Sequence, residues 1–129
     1  MDFTLFENTT SVSAIYKDSL PTFTKIEVIK ITILTGEDTE LILTLDTTEL
    51  PKVLPLKWSQ KKINTVQFEF DFIDVDIKNF CLTKGMKYNF IMQRKNDKNV
   101  IVLTNLLNNK KITFDSKWAY IKNISGYEK

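Results

Sequence analysis

Apolar and polar residues alternate along most of the chain after residue 23, and alternation with a period of two is the pattern of half-buried β-strands. The pattern predicts strands over residues 25–34, 40–46, 64–72, 86–94, 100–106, 111–115 and 118–124. Connections after residue 63 are short, so we expect neighbouring strands to be antiparallel. We therefore predict a mainly β fold of about seven or eight strands, as one twisted antiparallel sheet or two packed sheets.

The same alternation predicts which side chains face the core. The predicted inward residues are Leu41, Leu43 and Leu45, then Val66, Phe68, Phe70 and Phe72, then Tyr88, Phe90 and Met92, and finally Val100 and Val102.

In two of the predicted strands, the apolar residues move from one face of the strand to the other along its length. The apolar positions of 25–34 shift faces after Val28, which predicts a β-bulge or a strand covered on both sides. The phase also reverses after Phe72.

Two stretches depart from the β pattern. Residues 9–20 have apolar positions at helical spacing and are followed by Pro21, which predicts one short N-terminal helix. Residues 47–62 are irregular and are interrupted by Pro51 and Pro55. No linker or repeat divides the chain, so we expect residues 1–129 to form a single domain.

Composition excludes several classes of chemistry. The chain has no histidine and one cysteine, Cys81. Catalytic triads, Cys–His dyads, internal disulfides and cysteine-based zinc sites therefore cannot form. The three glycines are isolated, so no phosphate-binding loop is encoded. We expect a protein that is not an enzyme and that has no cofactor and no metal.

Targeting signals are also missing from the sequence. No stretch approaches the roughly 20 apolar residues of a membrane span. Residues 1–7 carry acids where a signal peptide carries basic residues. We therefore expect a cytoplasmic protein with no membrane partner.

Charge is distributed unevenly, although the net charge is only +2. Residues 1–79 hold eight lysines and 13 acids, whereas residues 80–129 hold ten basic residues and three acids. This polarity indicates charged partners, unless strands of the two halves interleave and neutralise each other.

The basic half suggests one alternative function. Aromatic residues lie among its lysines, at Tyr88, Phe90, Trp118 and Tyr120. A basic sheet with aromatic platforms is typical of single-stranded nucleic-acid-binding modules. The chain has a single arginine, however, and the aromatics share their phase with core residues, so we expect no nucleic-acid partner.

The candidate partner-binding residues are acids on the best-defined strand. Glu69 and Asp71 lie on the face opposite the phenylalanines, and Asp74 and Asp76 continue the acidic pattern. Alternating acids are also typical of the solvent-exposed face of any half-buried strand. Trp58, in the irregular segment, is either a core residue or an exposed anchor for a partner.

Residues 20–28 read Leu-Pro-Thr-Phe-Thr-Lys-Ile-Glu-Val and resemble the start of the first strand in the immunity protein 50 family. The family pattern there is Trp-Pro-x-Phe-His-Asp-x-Glu-Val, and the two share Pro21, Phe23, Glu27 and Val28. The chain has Leu20, Thr24 and Lys25 where the family has Trp, His and Asp, so it lacks any function carried by that His–Asp pair. A looser similarity of apolar positions extends over about residues 15–125.

The resemblance implies a small inhibitor from a bacterial polymorphic-toxin system, which binds a cognate toxin protein and blocks it without catalysis. Acidic faces suit such an inhibitor, because they attract a basic partner and speed association. Glu69, Asp71, Asp74 and Asp76 would then form the recognition surface, with Trp58 as an anchor. We expect a monomer or a dimer. A small β-barrel that carries an apolar ligand is a further alternative, although the many bulky apolar residues favour a filled interior.

Overall fold

Six antiparallel strands form the sheet that the alternation predicts. They are β1 (Ile26–Leu34), β2 (Glu40–Thr47), β3 (Thr65–Asn79), β4 (Lys87–Lys95), β5 (Lys98–Asn105) and β6 (Lys111–Tyr127). The computed structural model describes residues 2–129 and closes these strands into a barrel, in the order β1–β2–β3–β6–β5–β4. The mainly β, antiparallel class is confirmed. The strand count is lower than predicted because residues 111–115 and 118–124 belong to one continuous strand.

Three short helical segments lie outside the sheet. They are a 3-10 turn at Phe3–Leu5, α1 at Thr10–Tyr16 and α2 at Leu56–Ser59. The predicted N-terminal helix is present as α1, but it ends before Pro21 because Lys17 adopts a φ of 54°, outside the helical region. The single turn of α2 interrupts the segment that was predicted to be irregular.

Aromatic side chains fill the interior of the barrel. Leu41, Leu43, Leu45, Phe68, Phe70, Phe72, Tyr88, Phe90 and Met92 are all buried, as predicted. The ring of Phe23 lies edge-on to Phe68, Phe70 and Phe90, with centroids 5.0, 5.8 and 5.8 Å away. Because side chains occupy the barrel axis, the structure argues against the alternative of a ligand carrier.

The inward face of β5 differs from the prediction. Ile101 and Leu103 are fully buried, whereas Val100 and Val102 are only partly buried, so the prediction for these two valines is wrong. The cause is the turn before β5, in which residues 96 and 97 have φ values of 50° and 65°. This two-residue turn of type I′ geometry sets the register with β4, and a shift of one residue exchanges the two faces of a strand.

Irregularities in three strands set which side chains point outward. The register of β1 shifts between Val28 and Lys30, which confirms the predicted bulge. In β3, Asp74 has a φ of 58°, and the strand is buried at Phe72 and again at Val75. The register of β6 also shifts at Lys122, opposite Glu69 and Phe70. These irregularities place acidic and basic side chains on the outer surface described below.

The motif at residues 20–28 leads into β1 and places the Phe23 side chain in the interior of the barrel. Phe23 is fully buried and has a φ of 56°, and its carbonyl accepts the Phe90 N–H at 2.9 Å. The Glu49 carboxylate accepts the backbone N–H groups of Thr22 at 2.9 Å and Phe23 at 2.8 Å. These bonds hold the chain in a conformation that a bulky residue rarely adopts.

Candidate functional site

The acids of β3 project from the barrel because the phenylalanines occupy the inner face. Glu69 and Asp71 alternate with buried residues and point outward. The reversal of phase at Asp74 leaves both Asp74 and Asp76 exposed to solvent. The outer side of β3 therefore carries four carboxyl groups over a length of roughly 20 Å, at about 3.3 Å per residue.

Three carboxyl groups come close together on this surface. The register pairs Glu40 of β2 with Ile73, which makes Glu40 the diagonal neighbour of Asp71. Glu69 lies two residues before Asp71 on the same face, and its Oε1 is 3.8 Å from Nζ of Lys122. We call Glu40, Glu69 and Asp71 the outer acidic cluster.

The environment of Asp71 disfavours its negative charge. Burial, a hydrogen bond shared with the Glu40 carboxyl group and the charge of Glu40 together raise the pKa of Asp71 to about 6, although Lys122 acts in the opposite direction. Its Oδ1 atom is buried, and no group in residues 2–129 donates a hydrogen bond to it. A carboxylate held in this way costs folding free energy, and such groups concentrate at functional sites.

Apolar and aromatic side chains border the outer acidic cluster. The register places Trp118 beside Ile73 and Tyr120 beside Asp71. Trp118 is 42% exposed and Tyr120 is 37% exposed. Exposed aromatic side chains, tryptophan and tyrosine above all, are enriched in protein–protein interfaces. This surface can therefore bind a basic protein through both charge and apolar contact.

Sequence reasoning missed part of this surface. Glu40 lies about 30 positions before Asp71, and only strand pairing brings the two together. Trp118 and Tyr120 belong to the basic half of the sequence, but the pairing of β6 with β3 places Tyr120 beside Asp71 and Trp118 beside Ile73. The alternation around 118–120 carries no signal that would reveal this neighbour.

Asp74 and Asp76 lie further along β3. Asp76 is exposed to solvent, and Nζ of Lys78 is 2.6 Å from its Oδ2 atom. The hydrogen bond from Lys78 and its positive charge lower the pKa of Asp76. The charge of Asp76 is therefore offset locally, so Asp76 contributes less negative potential than the outer acidic cluster does.

Trp58 is separate from the acids. Its indole ring is half-buried in α2 and packs against Gly126, which pairs with Val66 at the beginning of β3. A Cβ atom on Gly126 would lie 2.8 Å from the ring, so glycine is what permits this contact. The structure thus assigns Trp58 a packing role and does not bring it together with Glu69 and Asp71.

Comparison with known protein families identifies the chain. The family model described as Immunity protein 50 matches residues 8–127. The chain belongs to this family. Neither the curated proteins nor the solved structures contain a match. The resemblance seen at residues 20–28 is thereby confirmed, and the match extends over nearly the whole chain.

The motif residues of this immunity protein 50 family member have structural roles. Pro21 and Phe23 are buried, and Val28 packs against the core. The Glu27 carboxylate binds Nζ of Lys129 at 3.1 Å and Nζ of Lys87 at 3.4 Å. In this chain the motif therefore anchors β1. The matching residues serve the fold, so they can be present although the His–Asp pair of the family pattern is missing.

The structure separates the four aromatic residues that suggested a nucleic-acid-binding module. Tyr88 and Phe90 are 0% and 1% exposed, whereas Trp118 and Tyr120 are 42% and 37% exposed and lie beside Ile73 and Asp71 of β3. Base stacking requires an exposed ring. Within residues 2–129, no helix is long and apolar enough to cross a membrane, and no three acidic or cysteine side chains converge as metal ligands would.

Proposed function

We propose that this member of the immunity protein 50 family binds a cognate bacterial toxin domain and neutralises it without catalysis, in the cytoplasm of the cell that it protects. The recognition surface is the outer acidic cluster together with Trp118 and Tyr120. Asp74 and Asp76 extend this surface along β3 as its rim. Trp58 supports the fold at the other end of the strand and does not act as the anchor.

The observation that carries the proposal is the state of Asp71. The protein keeps a carboxyl group with one buried oxygen that lacks a donor, next to two further acids that raise its pKa. A basic side chain of the toxin would contact the exposed side of the cluster and neutralise its charge. The partner is therefore expected to present lysine or arginine at this surface.

The test compares the affinity of the purified toxin for four proteins. The toxin is first identified by pull-down from native lysate, and its affinity for the wild type is measured by calorimetry. The double variant Glu69→Lys with Asp71→Lys is expected to bind at least about 100-fold more weakly, because charge reversal at a buried interface costs several kcal/mol. The control is Glu37→Lys with Asp38→Lys, which makes the same charge change in an exposed turn. The fourth protein, Trp118→Ala, is expected to bind about 10-fold or more weakly.

The possible outcomes distinguish an error in the proposed function from an error in the proposed recognition surface. Equal loss of affinity in the charge-reversal variant and its control would assign the effect to net charge and reject the surface. Unchanged affinity in both, with the toxin bound, would place the interface elsewhere. Failure of the protein to bind or inhibit any toxin domain would reject the function. Circular dichroism establishes that each variant is folded.

A further inference from the structure

One edge of the barrel has free backbone hydrogen-bonding groups. β4 pairs with Ile26 and Glu27 of β1 and with no later residue of that strand. Within residues 2–129, no other backbone group pairs with residues 28–34 on this side. None of these residues is fully buried, and Ile33 and Leu34 are 41% and 49% exposed. A further strand could therefore add to β1 at this edge.

Charged side chains protect the free ends of β3 and β4, whereas this edge of β1 lacks such protection. The end of β3 beyond β2 carries Asp76 and Lys78, and the end of β4 carries Arg94 and Lys95. Charged residues at free edges prevent pairing with other chains. Residues 28–34 contain a single charge, Lys30, among mostly β-branched residues. This edge is the one suited to strand pairing.

We propose that residues 30–34 of β1 pair antiparallel with the same residues of a second copy of the chain, which forms a symmetric dimer. The bulge at residue 29 ends the regular part of the strand, so the paired stretch begins at Lys30. This inference rests on the strand edge and does not depend on toxin binding.

The sequence of the edge is complementary to itself in one register. With the two-fold axis at Thr32, Lys30 lies opposite Leu34 and Ile31 lies opposite Ile33. The two lysines are then not opposite each other, the isoleucines form apolar pairs, and the two Thr32 side chains meet at the axis. Apolar and Thr–Thr cross-strand pairs are favourable, and a two-fold interface requires such self-complementarity.

The dimer leaves Glu69 and Asp71 accessible. β2 separates β1 from β3, so the new strand pairing occurs two strands away from these two acids, whereas Glu40 pairs with Leu34 and lies one strand from the new edge. Each copy therefore retains its own recognition surface, and one dimer can hold two toxin molecules.

Sedimentation equilibrium tests the dimer. At protein concentrations from about 10 μM to about 1 mM, the mass of the wild type is expected to rise from 15.1 kDa towards twice that value. The Thr32→Lys variant places two ammonium groups at the axis and is expected to weaken dimerisation at least about 10-fold. Thr48→Lys, an exposed position outside the strand, is the matched control and is expected to behave as the wild type.

Cross-linking tests the register. In a Cys81→Ser background, Thr32→Cys is expected to form a covalent dimer under oxidising conditions, whereas Thr48→Cys is expected to stay monomeric. A wild type that stays monomeric up to about 1 mM would overturn the proposal. Dimers that Thr32→Lys does not weaken would also overturn it. A wild type that stays monomeric, together with loss of toxin binding by the Thr32→Lys variant, would assign the edge to the toxin instead.

Discussion

At the scale of single residues, Asp71 shows how neighbours on other strands control a side chain. It points outward from β3, where an isolated acid would be ordinary. Glu40 on β2 and Glu69 on β3 crowd it with like charge, and its Oδ1 atom is buried without a donor. Because the folded state raises the pKa of Asp71, folding becomes less favourable as Asp71 ionises.

We expect Asp71→Asn to stabilise the free protein above about pH 6. The wild type loses stability as the pH rises from the ordinary aspartate pKa of 3.8 through about 6, and the variant does not. Solvent screening of this partly exposed group limits the gain to about 1 kcal/mol, and the gain disappears at acid pH. Urea unfolding over a pH series measures it, with Asp38→Asn as a control. Destabilisation at neutral pH would contradict the account of Asp71.

The pKa of Glu49 is shifted in the opposite direction from that of Asp71. Burial raises its pKa, but hydrogen bonds from Thr22, Phe23 and Thr47 outweigh burial and hold the pKa below its usual value. The ionised carboxylate therefore stabilises the folded state. It holds Phe23 in its left-handed conformation within the core.

Replacement of Glu49 by Gln is expected to destabilise the protein by about 1–3 kcal/mol, because one hydrogen-bond acceptor is lost and a backbone N–H remains unpaired. The contribution of Glu49 is present above its ordinary pKa of 4.5 and is lost as the pH falls through the lowered folded value. Chemical unfolding at neutral and acid pH measures both effects. Glu37→Gln, in an exposed turn, is the control. Equal stability of the two variants would show that Glu49 does not secure Phe23.

At the scale of secondary-structure elements, the N-terminal segment completes a strand edge. β5 pairs with β6 only as far as Ser116, which leaves the later part of β6 open on that side. Glu7 donates its N–H to the Ala119 carbonyl at 2.8 Å. The Asn8 side chain donates to the Ile121 carbonyl at 2.8 Å and accepts the Ile121 N–H at 2.7 Å. The side-chain amide of Asn8 thus makes the two hydrogen bonds to Ile121 that the backbone of a neighbouring strand would make.

Asn8→Ala is expected to reduce the free energy of unfolding by about 1–2 kcal/mol, because two backbone groups of β6 lose their partner. Hydrogen exchange provides the specific readout. The Ile121 amide is expected to exchange faster in the variant, while amides in the β2–β3 pairing keep their protection. Asn108→Ala in the turn before β6 serves as a control that leaves Ile121 protected. Unchanged exchange at Ile121 would mean that another group protects this edge.

At the scale of the whole molecule, the two oppositely charged halves of the sequence interleave. Ion pairs join Lys122 to Glu69, Lys87 to Glu27, and Lys129 to both Glu27 and Asp46. Each pairs a lysine from the basic half with an acid from the acidic half. The Tyr127 hydroxyl also donates to Asp46. The polarity of the sequence is therefore partly neutralised in the fold, and the outer acidic cluster keeps an excess of carboxylates.

Salt is expected to affect toxin association much more than folding. The rate of association should fall about 10-fold or more between low and high ionic strength, because attraction between the acidic cluster and a basic toxin is screened. The free energy of unfolding should change by less than about 1 kcal/mol, since most of the ion pairs are solvent-exposed. Stopped-flow association and urea unfolding in the same salt series measure the two. An association rate that does not depend on salt would contradict electrostatic recognition.

Several features of the fold could be predicted from local sequence patterns. The alternation of Phe68, Phe70 and Phe72 with Glu69 and Asp71 was sufficient to assign their faces, because side-chain direction in a strand has a period of two. The bulge in β1 followed from the same pattern. The motif at residues 20–28 indicated the family, because four of its residues, Pro21, Phe23, Glu27 and Val28, match the family pattern.

Other features depended on contacts between distant segments. The closure of six strands into a barrel depends on the brief pairing of β4 with Ile26 and Glu27, which no local pattern encodes. The face of Val100 depended on the length of one turn. The sequence by itself thus determined the strands, most of their inner faces and the outward acids, because these follow from local periodicity. Only the tertiary structure decided that Glu40 and Tyr120 lie beside Asp71, because proximity across strands is set by register and strand order.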